Sequence, residues 1–429
     1  MYLIYSLVYS LAFLLMLPLF LLRREKYAAG FRERLGNYSE FKHDGRPVIW
    51  LHCVSVGEAN AARPLVDSLV SEFPSHRIII STTTKTGQEL AKKIFAGKAD
   101  AVFYFPFDWK FSVRKALDNF KPSVALLMET EIWPRFIHEA KLSGAKVAIV
   151  NGRLSQKSFD RYAKVRSFVS RVLQEIDLAM MQTENDAKRI KRLGLHNERV
   201  KVTGNIKFDQ VSGQSDAELT KYFRSRFGLS RERPLIVAAS THEPEERHIL
   251  DSLEGILPHE CRVMIVPRHP ERFDTVEELL RNSPYSFVLR SSEESENDKN
   301  SDVILLDSIG ELRSAFPLAE IVFVGGSLIP HGGQSVVEPA LEAKAIVTGP
   351  YTQNFESVVK DFLANGAIIQ TSAAPDDDQV SERLYEAFTL LLENGERRAA
   401  LGRNAAGVIR ANRGATTQTV IHLRRLIGQ

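Results

Sequence analysis

The sequence predicts an α/β protein: two Rossmann-like domains facing a cleft, preceded by one N-terminal transmembrane helix. Three observations carry that expectation. The 429 residues suffice for two to three domains at about 150 residues each. Short β-branched runs alternate with helical patterns in two series, which a polar interval from Phe208 to Glu218 separates. Ahead of both series, Tyr2 to Leu22 carries no charge at all.

That first segment would span about 31 Å as a helix, enough for a hydrocarbon layer of roughly 30 Å. A cleaved signal peptide would begin with basic residues and end at small ones; here the start is uncharged and the end reads Leu21-Leu22-Arg23-Arg24. An anchor over residues 1–22 is therefore expected. Arg23, Arg24, Lys26, Arg32 and Arg34 follow it, which places the rest of the chain on the cytoplasmic side and offers cations to anionic headgroups.

Beyond it, the runs Val48 to Val54, Arg77 to Thr83, Ala101 to Phe105, Val124 to Met128, Lys146 to Val150, Leu178 to Met181 and Val200 to Thr203 read as buried strands. The rhythm restarts at Leu235 to Ala239, Arg262 to Val266, Ser286 to Leu289, Val303 to Leu306, Ile321 to Val324, Ala345 to Thr348 and Ala367 to Gln370. Strands alternating with helices give right-handed βαβ units and parallel sheets buried on both faces. The domains are placed at 23–210 and 211–405, with a helix at 406–429 packing back toward the first. Ser291 to Asp302 reads as an exposed acidic loop.

Composition narrows the function. At 44% hydrophobic and 25% charged residues, the chain is neither disordered nor collagen-like nor a multi-span membrane protein. With 56 Lys and Arg against 53 Asp and Glu the net charge is +3, and no nucleic-acid partner is expected. Cys53 and Cys261 each sit inside an apolar run, as buried thiols do.

In open α/β sheets ligands bind beyond the carboxyl ends of the strands, so chemistry is sought there. The first strand ends in Ser55-Val56-Gly57-Glu58; a helix start there would hold Glu58 as a carboxylate able to act as a general base. An ordinary first-turn helix residue is an equally good reading. The fourth strand runs into Glu129-Thr130-Glu131-Ile132-Trp133-Pro134, paired carboxylates whose proton affinities desolvation and repulsion can separate. Arg153 follows the fifth strand, as an anion ligand or an ion-pair partner. Lys207, in Thr203-Gly204-Asn205-Ile206-Lys207-Phe208-Asp209, can offset charge on a leaving phosphate or sit in a solvated salt bridge.

In the second series Arg268, within Pro267-Arg268-His269-Pro270, is a candidate phosphate clamp. The densest signal is Gly325-Gly326-Ser327-Leu328-Ile329-Pro330-His331-Gly332-Gly333-Gln334-Ser335-Val336-Val337-Glu338. Its glycines let a phosphate approach the backbone, and Glu338 can take ribose hydroxyls. The spacing is neither a P-loop nor a dinucleotide fingerprint, which disfavours ATP and NAD and favours a nucleotide sugar. His52, His242, His269 and His331 show no metal-cage spacing and read as hydrogen-bonded loop histidines.

Taken together, these blocks resemble the family of 3-deoxy-D-manno-octulosonic acid (Kdo) transferases, membrane-anchored GT-B glycosyltransferases of lipopolysaccharide assembly. The likeness runs from Arg32-x-Arg34-Leu35-Gly36 through the blocks above to Gly349-Pro350-x-Thr352-x-Asn354-Phe355. It implies transfer of Kdo from CMP-Kdo to the lipid A precursor (lipid IVA) in the inner membrane, with inversion, without a metal or other cofactor, by a monomer. It also implies Glu58 as proton acceptor and Glu129 and Lys207 as transition-state stabilisers. The CMP contacts it implies are Pro267, Arg268, Ile309, Gly310, Glu311, Ser335, Val336, Val337 and Glu338. Two departures stand out: Gln334-Ser335 where the family reads His-Asn, and Tyr351 where it reads His. Another GT-B transferase, a nucleotide-sugar epimerase and a tethered non-catalytic homologue are the alternatives.

Overall fold

The computed structural model describes residues 1–22, 29–209, 215–230, 232–256 and 261–428. It divides into two compact units, Met1–Gln210 with Asn412–Gln429, and Val211–Ala411.

The first unit is built on a seven-stranded parallel sheet: β1 (Val48–Cys53), β2 (Arg77–Thr82), β3 (Ala101–Tyr104), β4 (Pro122–Met128), β5 (Lys146–Gly152), β6 (Leu178–Met181) and β7 (Val200–Val202), in the order β3-β2-β1-β4-β5-β6-β7. Every residue of β1 is buried, because helices cover both faces and an isoleucine, leucine or tryptophan can be used at each position. On one face Trp50 meets Phe103, Phe105, Phe120 and Phe136 edge-on. On the other, Ile49, Leu51, Ile78 and Ile80 pack with Leu65, Leu69 and, from the far end of the chain, Leu423.

The second unit repeats the plan with β8 (Leu235–Thr241), β9 (Arg262–Pro267), β10 (Phe287–Leu289), β11 (Val303–Leu305), β12 (Ile321–Val324), β13 (Ala345–Thr348) and β14 (Ile369–Gln370), all parallel, in the order β10-β11-β9-β8-β12-β13-β14. All fourteen expected strands are present, within a residue or two of their expected bounds. The stretch 291–302 is more than an exposed loop. Asp298 is buried against the Arg226 guanidinium at 2.9 Å, and the buried Arg262 donates to the Ser301 and Asp298 carbonyls.

The N-terminal helix α1 (Tyr2–Leu22) departs from expectation. Among the described residues no helix is long and apolar enough to cross a membrane. The physical reason lies in a stripe at helical spacing, Tyr2, Tyr5, Ser6, Tyr9, Ser10 and Phe13, which is committed to protein contacts. The Tyr5 hydroxyl donates to Asp108 at 2.7 Å, Arg135 donates to Ser6 Oγ and the Tyr2 carbonyl at 3.0 Å, and Trp109 Nε1 donates to Ser10 Oγ at 2.9 Å. Leu3, Leu7, Leu11 and Leu15 on the other side are 60–78% exposed. Arg34 also turns inward, donating to the Ala29 and Thr83 carbonyls, so it offers nothing to a headgroup. Arg23, Arg24 and Lys26 lie outside the described residues.

The helix Ala415–Ile427 belongs to the first unit, and a carboxylate from elsewhere in the chain caps it. Asp209 accepts from the Gly414 and Thr416 amides at 2.8 and 2.6 Å, supplying the side-chain cap that Gly414 lacks. Asp209→Ala is expected to cost about 1–2 kcal/mol, read as a lower urea midpoint for the first unit.

Candidate active site

In the first sheet the strand order reverses between β1 and β4, the place where an open parallel sheet leaves a crevice beyond its carboxyl ends. Glu58 and Glu129 follow those two strands. Glu58 lies in the six-residue helix Val56–Ala61, is 8% exposed and accepts only the Val54 amide, at 2.8 Å. Burial, followed by the neighbouring charge of Glu129, pushes its carboxyl up to about 8; the Val54 amide and Lys207 oppose this. The expectation that a helix start would hold Glu58 as a carboxylate is thereby corrected: one amide and a short helix do not outweigh desolvation.

Glu129 occupies the left-handed region, with φ 54°, directly after β4, while its amide donates to the Val150 carbonyl at 2.9 Å. A glutamate pays for that backbone with strain, which folded proteins tolerate chiefly at functional sites. The next strand does the same at Asn151, φ 53°, whose side-chain oxygen accepts the Ile206 amide at 3.0 Å. That bond docks the turn Ile206–Asp209, and Lys207 Nζ comes to 3.0 Å from Glu129 Oε1. Both side chains are about a fifth to a quarter exposed, so Lys207 sits in a partly solvated salt bridge beside Glu58. Burial and Glu129 also raise the Glu131 carboxyl. Arg153 joins through its backbone, its amide donating to Thr130 Oγ1 at 2.9 Å, and its side chain is exposed. Glu58, Glu129 and Lys207, widely spaced in sequence, thus form one constellation: a carboxyl that titrates near neutrality beside a carboxylate–ammonium pair.

In the second sheet the order reverses between β8 and β12, and the glycine-rich stretch begins as β12 ends. The amides that open it are bonded within the protein. The carboxylate of Glu245, fully buried, accepts the amides of His242, Gly326, Ser327 and Leu328 at 2.7–2.9 Å, and Gly325 and Gly333 donate to the Ala239 and Gly326 carbonyls. The part of the glycine-rich stretch at Gly326-Ser327-Leu328 is thus tied to the protein's own glutamate. Sequence reasoning missed this role of Glu245. Its signal was position: like Glu58, it follows the first strand of its sheet by a few residues.

Of the remaining expected contacts, Pro267 is buried and Arg268 exposed, with the Arg268 amide on the Thr241 carbonyl at 2.9 Å. Ile309 is 79% exposed beside Gly310, whose φ of 86° suits glycine. Glu311 pairs with Arg290 at 3.0 Å. Ser335 Oγ accepts the Val337 amide, Val336 and Val337 are buried, and Glu338 pairs with Arg313 at 2.8 Å. That pair lies in the first turn of the five-residue helix Val337–Leu341, and the Glu338 side chain stays about a quarter exposed. Gln334 is partly buried, and the Tyr351 amide donates to the Ser327 carbonyl. Of the histidines, His52 is a core residue, stacked on Phe105 at 3.8 Å and bonded to Ser81, while burial lowers its pKa to about 3. His242, His269 and His331 instead converge from three loops, with ring centroids 5.3 and 4.4 Å from His242. Both cysteines are buried, and burial pushes the Cys53 thiol up.

Because the Glu58 carboxyl binds its proton more tightly folded than unfolded, Glu58 favours the folded state fully below the unfolded value near 4.5 and loses that advantage as pH rises through about 8. Glu58→Gln, which mimics the protonated form, is expected to match the parent at pH 4.5 and to exceed it by roughly 2–4 kcal/mol at pH 9, a difference that melting curves at the two pH values will read.

A family model for 3-deoxy-D-manno-octulosonic-acid transferase (kdotransferase) matches residues 29–210. The chain is 36% identical over 394 residues to the 3-deoxy-D-manno-octulosonic acid transferase of Haemophilus influenzae, covering 91% of this chain and 90% of that protein. It is 29% identical over 391 residues to that of Bordetella pertussis, covering 89% and 87%. Among solved structures, a putative UDP-N-acetylglucosamine 2-epimerase from Listeria monocytogenes aligns over 89% of this chain and 96% of that one, with a TM-score of 0.51 at 12% identity; that likeness concerns the fold alone. By sequence and by its two parallel-sheet units, the chain belongs to the 3-deoxy-D-manno-octulosonic acid transferase family of glycosyltransferases.

Proposed function

We propose that the enzyme moves Kdo from CMP-Kdo to a hydroxyl of the acylated disaccharide precursor of lipid A (lipid IVA), by direct displacement with inversion. The observation that carries this reading is the Glu58 carboxyl, raised to about 8 in a crevice it shares with the Glu129–Lys207 pair. A general base works best when its pKa lies near the working pH. As the acceptor oxygen bonds to the anomeric carbon, its proton passes to Glu58. The bond from that carbon to the phosphate oxygen breaks with its electron pair, and CMP departs. Lys207, braced by Glu129, offsets negative charge developing in the transition state. Pro267, Arg268, Ile309, Gly310, Glu311 and the segment Ser335-Val336-Val337-Glu338 form the CMP contacts in this proposal.

The acceptor's acyl chains keep it in a bilayer, and we assign α1 to bring the enzyme there, at the cytoplasmic face of the inner membrane. With one side docked on its own domain and Leu3, Leu7, Leu11 and Leu15 turned outward, α1 suits lying in the membrane surface. Confinement to that surface raises the effective concentration of enzyme and acceptor for each other.

Incubation of the full chain with CMP-Kdo and lipid IVA is expected to give products heavier by whole Kdo units in a mass spectrum; no added unit overturns the proposal. Turnover is expected to rise with pH through about 8, and Glu58→Gln to lower kcat about 10²–10⁴-fold while CMP binding persists. The substitutions Leu7→Glu and Leu11→Glu are expected to weaken vesicle flotation about tenfold each, with CMP binding unchanged. Unaltered flotation would remove α1 from membrane attachment.

A further inference from the structure

Glu245 takes three amides where the glycine-rich stretch begins, so beside Gly326 a ligand meets side chains rather than those amides. The side chains gathered there are imidazoles. His242 follows β8, where the strand order reverses; His269 follows Arg268 after β9; His331 comes from the glycine-rich stretch. Their rings lie within 5.3 Å of His242, centroid to centroid. Among the described residues no group of His, Cys, Asp or Glu is placed to hold a metal ion, so coordination does not account for the gathering.

His242 is the informative member. It is 6% exposed, and its Nε2 has no hydrogen-bond partner among the described residues. A buried ring nitrogen left without a partner is costly, and binding of a ligand would offset that cost. The nitrogen faces Gly326, whose φ is 65° and whose missing side chain leaves room: a Cβ there would lie 3.4 Å from His242 Nε2 and 3.6 Å from Gln334 Nε2. Burial, and then His331 and His269, lower the His242 pKa to about 4, so the ring is neutral at physiological pH and can present Nε2–H as a donor without carrying charge.

We propose that His242 donates a hydrogen bond from Nε2 to a phosphate oxygen of the nucleotide donor and retains it as the nucleoside monophosphate leaves. This rests on the transferase reading above and adds a residue to it. The chemistry recognised is a monoester or diester phosphate oxygen, beside amides that Glu245 already holds. A neutral donor suits a group that must hold the phosphate during reaction and release it afterwards, because a fixed positive charge would slow departure of the product.

The test uses the full chain with CMP, cytidine and free Kdo as probes. In ¹⁵N spectra of the histidine rings, CMP is expected to shift His242 Nε2 while cytidine and free Kdo leave it unmoved. A shift with free Kdo and none with CMP would place the sugar carboxylate there and overturn the phosphate assignment; no shift with any probe overturns it too. By calorimetry, His242→Phe is expected to weaken CMP about 10-fold or more and cytidine less than 2-fold, with His242→Gln recovering part of the loss. Equal losses for CMP and cytidine would mean a structural role and end the proposal. Should His242→Phe fail to fold, the wild-type spectra decide alone. A parent enzyme that transfers Kdo while His242 ignores CMP refutes this inference only, whereas a parent that makes no Kdo product refutes the transferase reading beneath it.

Discussion

Desolvation of carboxyl groups where the parallel strands change direction is the constraint on which both units depend. A reversal of strand order leaves neighbouring crossovers on opposite faces and opens a crevice, and the residue after each first strand is pushed toward it. Here that residue is twice followed within a few positions by a buried glutamate, and the two are treated differently. Burial, and then the Glu129 charge, raise the Glu58 carboxyl to about 8 against the single Val54 amide. Glu245 receives four amides and no mobile partner. Burial raises the Glu245 carboxyl as well, and its four amides oppose that rise while bracing the chain around it.

The brace has consequences for the surrounding chain. By tying Gly326, Ser327 and Leu328 to one carboxylate, Glu245 fixes the left-handed turn at Gly326 and with it the gap beside His242. A Cβ at Gly325 would come within 2.6 Å of the Ser240 carbonyl, so this part of the stretch requires glycine for packing against β8. The start of what resembles a phosphate loop in sequence is therefore explained by internal geometry.

Legibility from sequence followed the same physics. All fourteen strands could be read because strands buried on both faces must be continuous apolar runs. The Glu58, Glu129 and Lys207 motifs were visible as positions at strand ends, but their union depends on the Asn151 side chain docking the turn at Ile206, a contact between distant segments that no local pattern encodes. The sign of the Glu58 shift was missed because helix position favours the carboxylate while burial, invisible in sequence, opposes it more strongly. At α1 the signal was present and overlooked. Tyrosine and serine recur every three to four residues, a stripe too weakly polar to register as a face yet sufficient to bond Asp108, Arg135 and Trp109.

That stripe bears on how the reaction is organised. Asp108 accepts from the Tyr5 hydroxyl and from the amides of Arg135 and Phe136, at the start of the helix Pro134–Leu142 that follows the Glu129 block. Phe136 in turn packs on Trp50 in β1, the strand that leads to Glu58. The outward leucines, the tyrosine hydroxyls, the buried Asp108 and the aromatic core under β1 thus form one continuous set of contacts from the exposed face of α1 to the crevice. Docking α1 onto its own domain in this way gives the leucine face a fixed orientation relative to Glu58, which a helix joined only through a flexible linker would not have. Under the proposed function, an acceptor held in a bilayer by its acyl chains would present its hydroxyl over a narrow range of heights, and a rigid connection from α1 to Glu58 would limit the geometries to be searched before reaction.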